Sequence, residues 1–459
     1  MKDRKSPISG TGVAFAAALW VAAAGAFASP GFAANGTAPA MPQPGDTAAV
    51  LAPLASSAGS QPTQSGLQQA LAGPLSANGV GPNVRVAVFD TDSGNLVYEN
   101  SSATPATPAS TTKLLTSAAV LSAYGADYRI KTTVVRGNGA NEVVLVGSGD
   151  PSLVSKRAGS GIDAPASLAA LADQTAQSLK VAAATGSETP AKITASVNFD
   201  DSLFSGPRTA PSWPSSYTSS NLVSPITALM VDGGGGADPS MVAATRFAAL
   251  LKTRGITVTG TPNRVSAPTA QTEMAVATSA PLSAIVGHTL AASDNTAAEM
   301  LGHLAGVKNG GEGTFEGGAR AVNRTLTDLG ISTDGVRLYD GSGLSRDDRA
   351  PARTIGQLLN HTATTNSEQL WPITYGIPIA GFTGTLANRF VLPATKPGRG
   401  EVRAKTGTLT GVSALAGFVT DNDGDLLTFV LMAPDATNVI GAQVAWDRAT
   451  AALAQCGCK

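Results

Sequence analysis

The sequence has few of the residues on which metalloenzymes and histidine-dependent hydrolases rely. Its 459 residues include three histidines and two cysteines. Neither an H-E-x-x-H motif nor a paired cysteine spacing accompanies His288, His303 or His361, so we expect no zinc site and no cofactor. A G-x-S-x-G elbow between a strand and a helix is also missing, which excludes the usual serine hydrolase route through a histidine base.

The chain also lacks an excess of charge of either sign. Lysine and arginine total 31 and aspartate and glutamate total 32, which gives a net charge of −1 at pH 7. Nucleic-acid-binding proteins and proteins of anionic membrane surfaces usually have a basic patch or a basic excess. We therefore expect no nucleic-acid partner and no electrostatic attraction to a membrane.

The first 34 residues have the pattern of an export signal. Lys2, Arg4 and Lys5 precede an apolar run over residues 13–28, and small residues that fit a cleavage site follow. We expect a bacterial protein exported to the cell envelope or beyond. The alternative is an uncleaved membrane tether, although the run is short for a bilayer core of about 30 Å. Residues 35–65 are rich in Ala, Pro, Gly, Ser and Thr without periodicity, which predicts a disordered linker.

Ser110 and Lys113 place a hydroxyl and an amine three residues apart. The apolar run that follows predicts a largely buried helix, so both side chains should project from one face of its first turn. A lysine can take the proton of a serine when burial or a second cation lowers the pKa of its amine. An isolated S-x-x-K motif also fits an ordinary serine and a surface lysine, so other parts of the sequence must decide between the two.

Two further motifs follow in the chain, and both favour catalysis. They are Ser293-Asp294-Asn295 and Lys405-Thr406-Gly407-Thr408. The first opens a segment that predicts a helix, and the second begins an apolar strand. In the order S-x-x-K, S-D-N and K-T-G, the three motifs resemble the penicillin-binding protein and serine β-lactamase superfamily.

The length of the stretch between Ser110 and Ser293 indicates which family of this superfamily the chain resembles. The stretch is much longer than in a compact β-lactamase. Residues 145–153 include Gly149-Asp150-Pro151, which resembles a signature of the D-alanyl-D-alanine carboxypeptidase/endopeptidase family of low-molecular-mass class C penicillin-binding proteins. The similarity covers about residues 66–455. It implies an α+β fold with a penicillin-binding transpeptidase-like, or serine β-lactamase-like, catalytic domain that carries an inserted α+β domain.

This resemblance and the length of the chain predict the domain organisation. Residues 66–127 form the first part of the catalytic domain, residues 128–268 form one or two inserted domains, and residues 269–455 form the second part. Residues 456–459 form a tail. Cys456 and Cys458 lie in that tail, and in an exported protein they bond each other or another chain, so we expect no mechanistic role for them.

The resemblance also implies a role for each motif residue. Ser110 is the nucleophile, Lys113 its base, Ser293 a proton relay to the leaving nitrogen, Asn295 a support for the substrate backbone, and Lys405 the cation that keeps Lys113 neutral. Thr406, Gly407 and Thr408 bind the substrate, whose carboxylate meets the hydroxyls of Thr406 and Thr408. The backbone N–H groups of Ser110 and Thr408 hold the oxyanion. The implied substrates are peptidoglycan stem peptides that end in D-Ala-D-Ala. The implied inhibitors are β-lactams, whose strained amide imitates this bond. Carboxypeptidase, endopeptidase and transpeptidase reactions share one acyl-enzyme, so the choice among them stays open.

Two alternative functions fit the same fold. A β-lactamase that deacylates fast by the class A route needs a glutamate between S-D-N and K-T-G, and Glu312, Glu316 and Glu368 lack the expected surroundings. An inactive wall-binding scaffold of the same fold would not need all three motifs.

The segment around Trp213 is rich in proline and serine, which is unusual for a regular helix or strand. In the resembled family this segment borders the active site and often has an acidic residue shortly after the tryptophan. Ser216 stands there instead, which weakens any expected preference for a free amine on the third stem residue. Alternatively, Trp213 covers the core of the inserted domain.

Overall fold

The structure is a computed structural model that describes residues 62–139, 141–185, 192–270, 272–364 and 368–458. The predicted export signal and all but the last residues of the predicted linker lie outside these ranges. Within the ranges, no helix has the length and apolar character needed to cross a membrane.

The described residues form strands and helices in mixed order, as expected for an α+β fold. The strands are β1 (Arg85–Asp90), β2 (Leu96–Asn100), β3 (Lys131–Arg136), β4 (Glu142–Val146), β5 (Thr194–Asp200), β6 (Thr257–Thr259), β7 (Glu273–Thr278), β8 (Arg403–Leu409), β9 (Val412–Thr420) and β10 (Leu426–Ala433). The helices are α1 (Gln64–Leu75), α2 (Thr112–Tyr124), α3 (Leu168–Ala184), α4 (Ser216–Ser219), α5 (Pro239–Lys252), α6 (Leu282–Ala292), α7 (Asn295–Gly310), α8 (Phe315–Asp328), α9 (Ala352–Ala363), α10 (Trp371–Gly376) and α11 (Val439–Ala454).

The first sheet is antiparallel, with the strand order β2-β1-β10-β9-β8. Its strands alternate between two cores, because successive side chains of a strand point to opposite faces. In β1, Val86 and Val88 pack with α1 and α11, whereas Ala87 and Phe89 pack with α2 and α9. Helices therefore cover both faces, which explains why β9 is apolar and buried along nearly its whole length.

The second sheet has the strand order β6-β5-β4-β3-β7 and is mixed. The pairs β4–β5 and β5–β6 are parallel, and β3 pairs antiparallel with both β4 and β7. Helices α3 and α5 pack on this sheet and share one apolar core with it. The second sheet therefore needs residues up to Thr278, beyond the predicted end of the insertion at residue 268.

The two ends of the described chain meet. Helix α1 begins at Gln64, before the predicted end of the linker, and Thr63 caps it by accepting from the amide of Gly66 at 3.1 Å. The amide of Thr63 donates to the carbonyl of Cys458 at 2.6 Å. Cys456 and Cys458 are paired with each other, and Cys456 is buried against α11. The tail is thus part of the packing around the first sheet.

Candidate active site

Ser110 lies in a one-turn 3₁₀ helix, Ala109–Thr111, directly before α2. Ala109 has a left-handed φ of 49°, which is uncommon for a residue with a side chain and concentrates at functional sites. Two glycines let other segments approach this turn. A Cβ on Gly407 would lie 2.7 Å from the carbonyl oxygen of Pro108, and one on Gly343 would overlap the carbonyl of Ala109. The turn is therefore held between β8 and a loop at residues 340–345.

Lys113 follows one turn later on the same side, and its side chain is completely buried. Its Nζ lies 3.0 Å from Ser110 Oγ, 2.8 Å from Asn295 Oδ1 and 2.8 Å from the carbonyl oxygen of Ser342. Burial lowers the pKa of Lys113 to about 8, because the charged form loses its hydration; the carboxyl groups of Glu299, Asp340 and Asp294 act in the opposite direction.

Ser293 and Asn295 reach the site from the junction between α6 and α7. Ser293 has left-handed backbone angles, φ 56° and ψ 40°, and ends α6. Asp294 then caps α7, because its Oδ1 accepts from the amide of Ala297 at 2.9 Å. The side chain of Asn295 has both ends occupied: Oδ1 accepts from Lys113, and Nδ2 donates to the carbonyl of Leu222 at 2.9 Å.

Lys405 enters from β8 on the opposite side and is also completely buried. Its Nζ donates to Ser293 Oγ and to the carbonyl of Thr406, both at 2.9 Å. Burial lowers the pKa of Lys405 well below its usual value, and the neighbouring amine of Lys113 lowers it further. Two buried amines therefore converge on two serine hydroxyls.

The rest of the K-T-G segment lines the open side of the site. The hydroxyl of Thr406 pairs with that of Thr385 at 2.8 Å, and the exposed Thr408 accepts from Gln443 Nε2 at 3.2 Å. The structure thus brings together the site residues that the three motifs predicted. It also adds partners that the sequence analysis did not name, such as the carbonyls of Leu222 and Ser342, which residue identity cannot reveal.

The loop at residues 340–345 forms the floor of the site. Asp340 holds it from within, because Oδ1 accepts from the amide of Gly343 at 2.7 Å and Oδ2 from the amide of Ser345 at 2.6 Å. The indole Nε1 of Trp213 donates to the same Oδ2 at 2.7 Å. Trp213 also packs edge-on against Phe315, with ring centroids 5.3 Å apart.

Trp213 is therefore buried beneath the site, in a small core between its own segment and α7 and α8. This placement agrees with a packing role more than with direct contact to a ligand. Ser216, which stands at the position of the expected acidic residue, is exposed at the start of α4.

The sheet covered by helices on both faces, with the three motifs in one cleft, defines the class of penicillin-binding serine peptidases. Within that class, the profile of the D-Ala-D-Ala carboxypeptidase 3 (S13) family matches residues 67–237 and 235–453. The chain therefore belongs to this family, and its class of activity is that of a serine-type carboxypeptidase.

Curated relatives and solved structures agree with this assignment. Carboxypeptidase DacB of Mycolicibacterium smegmatis is 34% identical over 86% of this chain and 85% of its own length. Carboxypeptidase Rv3627c of Mycobacterium tuberculosis is 33% identical over 91% of this chain and 89% of its own length. Penicillin-binding protein 4 of Haemophilus influenzae has the same fold, with a TM-score of 0.67 and 21% identity over 84% of this chain and 97% of its own. The predicted fold is thereby confirmed.

Proposed function

We propose that the protein removes the terminal D-alanine from peptidoglycan stem peptides through an acyl-enzyme on Ser110. The observation that carries this proposal is the 3.0 Å contact between Ser110 Oγ and the buried Nζ of Lys113. A buried amine with a pKa of about 8 is available in its neutral form near neutral pH, and a neutral amine is a base.

The number of hydrogen-bond partners of Lys113 supports its role as the base. A lysine ammonium has three N–H donors and no lone pair, so a neutral amine has two donors and one lone pair. Asn295 Oδ1 and the carbonyl of Ser342 can only accept, and they use both donors. The lone pair then faces Ser110, whose hydroxyl proton moves to Nζ as Oγ forms a bond to the carbonyl carbon of the penultimate D-alanine.

Ser293 and Lys405 serve the leaving group. As the C–N bond breaks, the nitrogen of the terminal D-alanine takes a proton from the Ser293 hydroxyl, which regains one from the amines around it. The 2.9 Å contact between Ser293 Oγ and Lys405 Nζ supports this relay. Lys405, Thr406 and Thr408 together suit the terminal carboxylate, which a cation and hydroxyl donors stabilise. Water then hydrolyses the ester on Ser110.

The structure gives no support to fast deacylation by a class A route. Glu312, Glu316 and Glu368 are all exposed, and Glu312 pairs with Arg320. The carboxyl near Lys113 is that of Glu299, whose two oxygens both accept from backbone amides and so are engaged. We therefore expect β-lactams to form long-lived esters on Ser110. Penicillin-binding protein 4 of H. influenzae has been solved in complex with a β-lactam, which supports β-lactam binding by this chain.

Intact-protein mass spectrometry with benzylpenicillin tests the proposal. We expect a mass increase of one penicillin that lasts for hours, no increase in Ser110→Ala, and release of D-alanine from a peptide ending in D-Ala-D-Ala. An adduct that decays within seconds would indicate the β-lactamase instead. A folded protein that forms no adduct and releases no D-alanine would indicate the inactive scaffold.

A further inference from the structure

Glu299 is a buried carboxyl that the proposed reaction does not use. It lies on α7 one turn after Asn295, and 1% of its surface is exposed. Its Oε2 accepts from the amide of Gly341 and its Oε1 from the amide of Ser342, both at 2.8 Å. Two neighbouring peptide groups of the floor loop are therefore fixed by one carboxyl.

Ser342 contacts both Glu299 and Lys113. The amide of Ser342 donates to Glu299, and the carbonyl of Ser342 accepts from Lys113 Nζ at 2.8 Å. Hydrogen bonds in such a chain polarise one another in a region of low dielectric. A shift of the loop by 1 Å would release the Lys113 donor and turn its lone pair away from Ser110, and displacements of this size can cost about a hundredfold in rate.

Thr116 contacts the same loop from α2. It lies three residues after Lys113, is equally buried, and donates from Oγ1 to the carbonyl of Gly341 at 2.7 Å. This carbonyl and the amide of Ser342 are the two ends of one planar peptide group, so Thr116 and Glu299 hold the same group from opposite ends. Of the two, only Glu299 also accepts from the amide of Gly341 and carries a charge that acts on Lys113. The acid limb of the pH profile therefore separates the effect of Glu299 on Lys113 from a loss of loop stability.

On the basis of the proposed function, we propose that Glu299 is a positioning residue for acylation, which fixes the Ser342 carbonyl as the acceptor that orients Lys113 toward Ser110. The carboxyl also acts through its charge, which raises the pKa of Lys113. Burial and Asp340 raise the pKa of Glu299 itself, whereas its hydrogen bonds to the amides of Gly341 and Ser342 favour its charged form.

Other ionisable groups face this pair from each neighbouring element. They are Asp340 and Asp348 in and beside the floor loop, Asp294 at the start of α7, His303 one turn along α7, and Lys405 on β8. All of them remain in the variants described next, so a change in the pH profile reports on Glu299.

The test is the pH dependence of the benzylpenicillin acylation rate in Glu299→Gln, with Thr116→Val as the matched control. The amide can accept only one of the two N–H groups, so we expect a tenfold to hundredfold lower plateau rate. Loss of the negative charge lowers the pKa of Lys113, so the acid limb of the profile moves to lower pH. In Thr116→Val we expect the acid limb of the pH profile to stay at the wild-type pH and the plateau rate to stay within about threefold of wild type.

Three results would overturn the proposal: a Glu299→Gln plateau within threefold of wild type, an equal loss in Thr116→Val, or a lower rate with an unmoved acid limb. If Glu299→Gln does not fold, Glu299→Asp decides, because it keeps the charge but not the reach. Glu299→Asp should have a lower plateau rate of acylation and an acid limb at the wild-type pH. A plateau rate equal to that of wild type would reject the proposal. Failure of wild-type protein to become acylated would instead reject the proposed function.

Discussion

The two lysines of the site are equally buried but have different surroundings. Lys113 has three hydrogen-bond partners, and carboxyl groups that include Glu299 and Asp340 favour its charged form. Lys405 has two partners, Ser293 and the carbonyl of Thr406, and the charge that shifts its pKa is the cation of Lys113. Burial lowers both pKa values; carboxyl groups oppose this shift at Lys113, whereas the cation of Lys113 adds to it at Lys405.

Among the described residues, Lys405 therefore lacks the neighbouring anion that Lys113 has. The carboxylate of a stem peptide would supply it beside Thr406 and Thr408. Its arrival would favour the charged form of Lys405, and that charge would in turn favour the neutral form of Lys113. In this view the substrate itself completes the pair of one cation and one base, and the following predictions test the difference between the two lysines.

The largest effect is expected for Lys113→Met. Removing the base should lower the rate of benzylpenicillin acylation by about a thousandfold or more, since general bases contribute about 10² to 10⁴. An apolar side chain of similar length fills the same buried space, so thermal unfolding should show no loss of stability. Stopped-flow kinetics and a melting curve measure both quantities, and an acylation rate within tenfold of wild type would contradict the assignment of Lys113 as base.

A smaller and more selective effect is expected for Lys405→Met. Substrates with a free terminal carboxylate should lose about a hundredfold in kcat/KM, because the ion pair with the substrate is gone. The corresponding C-terminal amide should lose less, because it loses only the contribution of Lys405 to the Ser293 relay. Kinetics with both substrates measure the ratio, and an equal loss for the two would show that Lys405 does not recognise the carboxylate.

The pH dependence of the acylation rate reports on Lys113 in the wild-type protein. Acylation requires neutral Lys113, so its rate should rise with pH and level off above about 8. Stability should follow the same group: between about 8 and the ordinary lysine pKa of about 10.4, the unfolded chain binds more protons, so the free energy of unfolding rises with pH. A rate profile from pH 5 to 10 and urea unfolding measure these trends. Lys113→Met should reduce the slope of the second trend, and Lys405, whose pKa is also lowered, accounts for the slope that remains.

The smallest effect is expected for Thr408→Val beside Thr406→Val. Each removes one hydroxyl from the proposed carboxylate site, which is worth about 1 kcal/mol, or about fivefold. The change should fall on KM and not on kcat for a D-Ala-D-Ala peptide. If the two variants together match wild type in KM, the carboxylate binds elsewhere.

The sequence predicted the family through three ordered motifs, which are local signals, and the resemblance that they carry implied the α+β class. The helix predicted from Ser293 begins instead at Asn295, since Asp294 provides the cap and Ser293 takes a left-handed conformation. The end of the insertion at residue 268 stays a prediction; the pairing of β7 with β3 is a contact between distant segments, which the sequence carries no local signal for.

The residue types of the site were determined by the sequence alone: a serine and a lysine at a spacing that puts them on one helical face, a second serine with an amide, and a second lysine on a strand. Only the tertiary structure decided what each one contacts. The carbonyls of Leu222 and Ser342 belong to segments distant in the chain, and backbone groups carry no signal in the identity of their residues. Burial of both lysines is likewise a property of the assembled cores, and it is burial that lowers their pKa values enough for one amine to act as a base.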